Sequence, residues 1–190
     1  SLDAQLHLPA GYSISYGGAY SEQQQSFREL MMILSLAVLL VFAVLMFLFR
    51  EWRISLTVLF ISVLGICGCL LALWLTGVPL NVSSYTGIIM VVGIIAENAI
   101  FTVWQYRMNR RTGGDVSEAV DYAIALRIRP KLMTAIGAVL ALMPLALGIG
   151  LGAQMQQPLA VAVIGGFIVG LPLLLLVLPS IMLLIYKKSK

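Results

Sequence analysis

Five apolar stretches of about 20 residues each, with nearly every charge confined to the segments between them, leave this chain few ways to fold. They run roughly 30–49, 54–76, 84–106, 132–152 and 158–186. At a rise of about 1.5 Å per residue, each can cross a hydrocarbon layer about 30 Å thick. Composition agrees: 61% of the residues are hydrophobic and 11% charged, against roughly 25% charged in a soluble domain. The expected fold is an all-α membrane protein, a bundle of five transmembrane helices over residues 30–190. The fifth stretch is overlong and holds Pro172 and Pro179, which predicts a tilt, a kink or an early end.

The segments between the spans orient the bundle. Eleven of the twelve Lys and Arg residues fall on one side, after the first, third and fifth spans, and Arg28 stands alone on the other. By the positive-inside rule the C-terminus is cytoplasmic and residues 1–29 lie outside. That outer segment contains a strand-like piece, Tyr12 to Tyr16, a turn at Gly17 and Gly18, and a polar stretch leading into the first span. It reads as the end of an extracytoplasmic domain. With neither an initiator Met nor a signal-peptide pattern at Ser1, the opening reads as the middle of a longer polypeptide. In the large inner segment, Asp115 and Glu118 form a variant capping box. Val116, Ala119, Val120, Ala123 and Ile124 follow at helical spacing. This predicts a separate interfacial helix over about 115–128 on the cytoplasmic surface, with Arg127 and Arg129 as ordinary anchors.

Glu97 breaks the apolar pattern, being a carboxylate near the centre of the third span. Such a group costs roughly 2.5–3.5 kcal/mol on insertion scales. A sequence carries that cost when the group faces a protein partner or a water path. One reading is a polar clasp between helices. Another is coupling to protons or ions, for which an ionisable group is needed and an amide would not serve, and a third is a lipid-facing position near a thinned bilayer. Gly93, one turn earlier on the same face, leaves room for a neighbouring helix, and Asn98 adds an amide.

Lys131 and Thr134 open the fourth span just after Pro130. Lys131 reads either as an anchor snorkelling to the headgroups or as a cation directed into the bundle towards Glu97. Gly166 and Gly170 match the small-xxx-small pattern of close helix packing. No nucleophile–base pair, phosphate loop or metal-ligand cluster appears, so the pattern calls for no cofactor and no resident metal. Cys67 and Cys69, two residues apart on a helix, point to nearly opposite sides and read as packing residues. The net charge of +4 comes from membrane-flanking residues and does not indicate a nucleic-acid partner.

In order along the chain stand Leu8-Pro-Ala-Gly-Tyr12, Gly93-Ile-Ile-Ala-Glu97-Asn98-Ala and Arg129-Pro-Lys-Leu-Met-Thr134. The Pro144 segment and Pro158-Leu-Ala-Val-Ala-Val-Ile-Gly-Gly166 follow. Together they resemble the C-terminal membrane half of resistance–nodulation–division (RND) efflux pumps. The pairing of Glu97 with Lys131 resembles the heavy-metal branch, of the copper/silver and cobalt–zinc–cadmium types. At Gln156 the chain departs from the copper/silver type, which carries a methionine there.

The resemblance implies spans eight to twelve of twelve, preceded by the end of a periplasmic porter domain at residues 1–29. It further implies proton antiport through a relay including Glu97, Lys131, Asn98 and Thr134, and export of metal ions or small toxic compounds from a bacterial inner membrane. The partners implied are a homotrimer, a periplasmic adaptor, an outer-membrane channel and the N-terminal half of the same polypeptide. A protein-export component of related membrane fold, also driven by the proton gradient, is the competing reading. An intramembrane enzyme with Glu97 as base would need a second catalytic group at that depth.

Overall fold

A computed structural model describes residues 19–111, 113 and 115–187. Its five helices are α1 (Ala19–Phe49), α2 (Trp52–Thr76), α3 (Val82–Arg111), α4 (Val116–Ala146) and α5 (Ala153–Lys187). All five are long and apolar enough to cross a membrane. In lipid no water meets a free N–H or C=O, and a helix satisfies both internally.

The packing centres on α2, α3 and α5, and small residues set how close these helices come. A methyl group on Gly165 of α5 would sit 2.7 Å from the Gly68 carbonyl oxygen of α2, and closer still to Ala72 Cβ. One on Gly166 would meet Val91 at 2.6 Å and Cys69 Sγ at 2.8 Å. One on Gly170 would meet Ile95 Cδ1 at 2.8 Å. Gly166 and Gly170, together with Gly65, Gly68 and Gly165, stand where an added methyl group would meet a neighbouring helix. Lipid tails are as apolar as Leu, so helices in a membrane gain little from burying apolar surface; close van der Waals approach takes its place. Ile61, Ile88, Val91, Ile95, Leu174 and Leu178 fill the space between these three helices. By contrast α1 and α4 flank the core, with most of their apolar stretches exposed.

Three expectations about the elements change. First, the polar stretch before the first span is helical, so α1 starts at Ala19. Second, the separate interfacial helix over 115–128 and the span over 132–152 are one continuous helix, α4. Its expected surface-lying face is buried in the protein at Val116, Ala119, Val120 and Ala123. A proline inside a helix costs about 3 kcal/mol; burial of that face on one side of Pro130 and of Lys131 on the other holds the helix through it. Third, α4 ends at Ala146, earlier than expected, because Gly148, Gly150 and Gly152 follow with φ of 70°, 121° and 79°. Glycine alone adopts such angles freely. The Gln157 side-chain amide donates to the Ala146 carbonyl at 2.9 Å and closes the helix end. The fifth helix neither breaks nor ends early: α5 runs from Ala153 through Pro158, Pro172 and Pro179. The strand expected at Tyr12 to Tyr16 and the turn at Gly17 and Gly18 lie outside the described residues.

Candidate functional site

Where the middle of α3 faces α4, a cavity of about 400 Å³ collects the polar groups of the membrane region. Glu97 and Asn98 enter from α3, and Arg127, Lys131 and Thr134 from α4, while Phe167 and Leu171 of α5 close the apolar side. On α4 the spacing is what makes the site. Arg127, Lys131 and Thr134 recur at four and three residues and so share one helix face.

Lys131 is buried inside the protein, 6% exposed. Its ammonium donates to Thr102 Oγ1 at 2.8 Å, and Thr102 donates in turn to the Asn98 carbonyl at 2.8 Å. The Asn98 side-chain amide donates to the Ile94 carbonyl at 2.9 Å. The hydrogen bonds of Lys131 and Thr102 therefore tie α4 to the backbone of α3 beside Glu97. Thr134 directs its hydroxyl to the carbonyls of Pro130 and Lys131, at 3.1 and 3.0 Å.

Glu97 itself is exposed in this chain and has no hydrogen-bond or ion-pair partner among the described residues. The expected approach of Lys131 to Glu97 is thus a shared cavity and not a contact. Gly93 also differs from expectation. Nothing lies within 4 Å of a methyl group placed there, so it does not seat a neighbouring helix. It lines a second, apolar groove of about 260 Å³ between α3 and α1, with Leu40, Val41, Val44 and Leu45 across from it. Glu97 borders both spaces.

Two residues of the site escape a reading from sequence. Thr102 is 3% exposed and is the acceptor for Lys131. Its only signal was its place one turn beyond Asn98, which also fits a packing residue. Arg127, expected as an anchor, turns into the cavity with its guanidinium carbon 4.6 Å from the centre of the Phe101 ring. That is within cation–π range. Its buried Nε has no hydrogen-bond partner. Among the described residues no three or more of His, Cys, Asp and Glu come together as a metal site. Cys67 is exposed and Cys69 buried, and neither is bonded to another cysteine.

Residues 1–186 match the AcrB/AcrD/AcrF family. The chain is 34% identical over 190 residues to the cobalt-zinc-cadmium resistance protein CzcA of Cupriavidus metallidurans, covering all of this chain and 18% of that protein. It is 36% identical over 181 residues to the multidrug resistance protein MdtC of Erwinia tasmaniensis, covering 94% of this chain and 18% of that one. The crystal structure of a heavy metal efflux pump superposes with a TM-score of 0.77 at 35% identity, over 98% of this chain and 19% of that one. The chain therefore spans about a fifth of the length of the relatives it matches.

Proposed function

This chain belongs to the AcrB/AcrD/AcrF family of RND efflux transporters, and from that membership we propose that it is the C-terminal membrane part of a proton-driven pump. In this reading residues 1–29 end a periplasmic porter domain, the five helices are spans eight to twelve of twelve, and the C-terminus is cytoplasmic. The pump is a homotrimer in a bacterial inner membrane, joined to a periplasmic adaptor and an outer-membrane channel. Its cargo is a divalent metal ion, the class for which CzcA is named. The similarity to MdtC favours a second reading of the cargo, a small organic compound.

One observation carries the mechanism. The Glu97 carboxylate shares a cavity with Lys131 and Arg127, yet pairs with neither. It can gain or lose a proton without first breaking an ion pair. Ionised, it draws the two cations of α4 towards α3; protonated, it releases them. Two unit charges brought to 4 Å interact by about 4 kcal/mol at an effective dielectric constant of about 20. That is enough to bias the position of one helix against another by a factor on the order of 10³. Lys131, held by Thr102 and through it by Asn98, gives α4 a fixed charge to act on. Thr134 completes the polar lining on α4.

The test is Glu97→Gln in the full-length pump, scored by efflux of cobalt, zinc and cadmium and of organic dyes at matched protein level. Glutamine keeps the size and much of the hydrogen bonding but carries no titratable proton. Transport should be lost with assembly intact. Efflux at the wild-type rate would rule out Glu97 as the proton-responsive group.

A further inference from the structure

At the cytoplasmic ends of the helices, away from the Glu97 cavity, four elements meet in one cluster. Arg107 of α3 reaches across to the C-terminus of α1, where its guanidinium donates to the carbonyls of Leu48, at 3.3 Å, and Phe49. No basic residue lies in the last turn of α1 itself. Arg107 therefore supplies, from another helix, the cation that a helix C-terminus favours. The same guanidinium stands 5.9 Å from the centre of the Phe49 ring and 3.7 Å from the Glu51 carboxylate. Glu51 sits at the N-cap of α2 without capping it. Its other oxygen accepts from the Tyr186 hydroxyl of α5 at 2.7 Å. The Tyr186 ring stacks on Tyr106 of α3 at 4.7 Å between centroids.

Elsewhere the contacts of α1 among the described residues are apolar, with Leu45 fully buried in the core. Near its other end Phe27 meets Tyr85 edge-on at 5.6 Å. Between these two contacts the 260 Å³ groove separates the helices at the level of Gly93 and Glu97. The hydrogen bonds from α3 to α1 thus gather at a point ten residues, about 15 Å, below Glu97.

We propose that Arg107 is a positioning residue that locks the cytoplasmic end of α1 to α3, so that α1 follows α3 when Glu97 changes charge. The proposal rests on the reading of Glu97 as the proton-responsive group. The charged side chains facing Glu97 are Arg127 and Lys131, both on α4; the α1 side of the groove presents only Leu40, Val41, Val44 and Leu45. A pull on α3 therefore comes from α4, and α1 has no charge of its own at that level with which to respond. Its coupling to α3 passes through Arg107.

Spin-label distances in the full-length pump, in lipid nanodiscs at acid and alkaline pH, separate the two ideas. One label pair joins Trp104 on α3 to Leu140 on α4, and the other joins Phe47 on α1 to Leu140; all three side chains are exposed. In the wild type both distances should change with pH. In Arg107→Gln the α3 pair should still change and the α1 pair should not. Tyr186→Phe, which keeps the ring stack but drops the bond to Glu51, should reduce the α1 response in part and serves if Arg107→Gln does not assemble. An α1 response of wild-type size in both variants overturns the joint and leaves the reading of Glu97 standing. An α3 distance that is constant with pH in the wild type, or that still changes in Glu97→Gln, sinks the proton reading and the joint with it.

Discussion

Adding one methyl group to Gly165 should loosen the whole bundle, and the geometry says by how much. The new Cβ would lie 2.7 Å from the Gly68 carbonyl oxygen, where carbon needs about 3.5 Å to sit at its van der Waals optimum. Since the obstacle is backbone and not the tip of a flexible side chain, α2 and α5 must part by on the order of 1 Å. Overpacking of this kind costs about 1–3 kcal/mol. Against it stands the better helix propensity of alanine, which favours the change by up to about 1 kcal/mol. The steric cost wins over most of that range, and in a polypeptide several times longer than about 250 residues each kcal/mol moves the melting temperature by less than about 2 °C. Gly137→Ala is the matched control, because it sits on α4 with nothing within 4 Å of its added methyl group. It receives the propensity gain alone. Thermal unfolding of the detergent-purified full-length pump, followed by size-exclusion fluorescence, should place Gly165→Ala below the wild type and Gly137→Ala at or above it. The consequence reaches the site, since the next residue, Gly166, rests on Val91 of α3, six residues before Glu97. If Gly165→Ala melts with Gly137→Ala, the close approach of α2 and α5 does not hold the bundle together.

Thr102→Val keeps the shape but removes the acceptor of the Lys131 ammonium. A lost hydrogen bond to a charged group costs about 1.5–3 kcal/mol, so lower thermal stability is expected together with slower efflux; unchanged values in both assays would show that Lys131 finds another partner in the cavity. Lys131→Met should slow efflux while restoring part of that stability in a Thr102→Val background, because it removes the unpaired charge. A double variant less stable than Thr102→Val alone contradicts this. A reporter enzyme fused after Lys190 should be active as a cytoplasmic protein, given the eleven basic residues on that side. Alkaline-phosphatase activity from that fusion reverses the topology.

The number of long apolar helices, the approximate ends of α2 and α3 and the place of Glu97 as the odd residue were all legible in the sequence. Each depends on properties local to a segment, such as its run of apolar residues, its flanking charges and the insertion cost of one carboxylate. The helix-wide amphipathic spacing at Val116 to Ile124 was legible too, but what it faces was not. An apolar face looks the same whether lipid headgroups or other helices cover it, and here α4 continues through Pro130 and buries that face in the protein. Arg127 illustrates the same limit. Beside a membrane boundary it has the composition of an anchor, and only the rotation of α4 against α3 turns it over Phe101 into the cavity.

Glu97 and Lys131 stand out one by one because each is a charge in an apolar setting, and so the sequence determines which groups can act. Whether they touch depends on how α4 sits against α3, while residues carrying no functional signal, Gly65, Gly68, Gly165, Gly166 and Gly170, fix how close α2, α3 and α5 stand. Tertiary packing decided that Lys131 reaches Thr102 and leaves Glu97 unpaired. It also decided that Gly93 opens on a groove. The reason is geometric: a helix presents its side chains around its whole circumference, and only the close approach of its neighbours selects which of them meet.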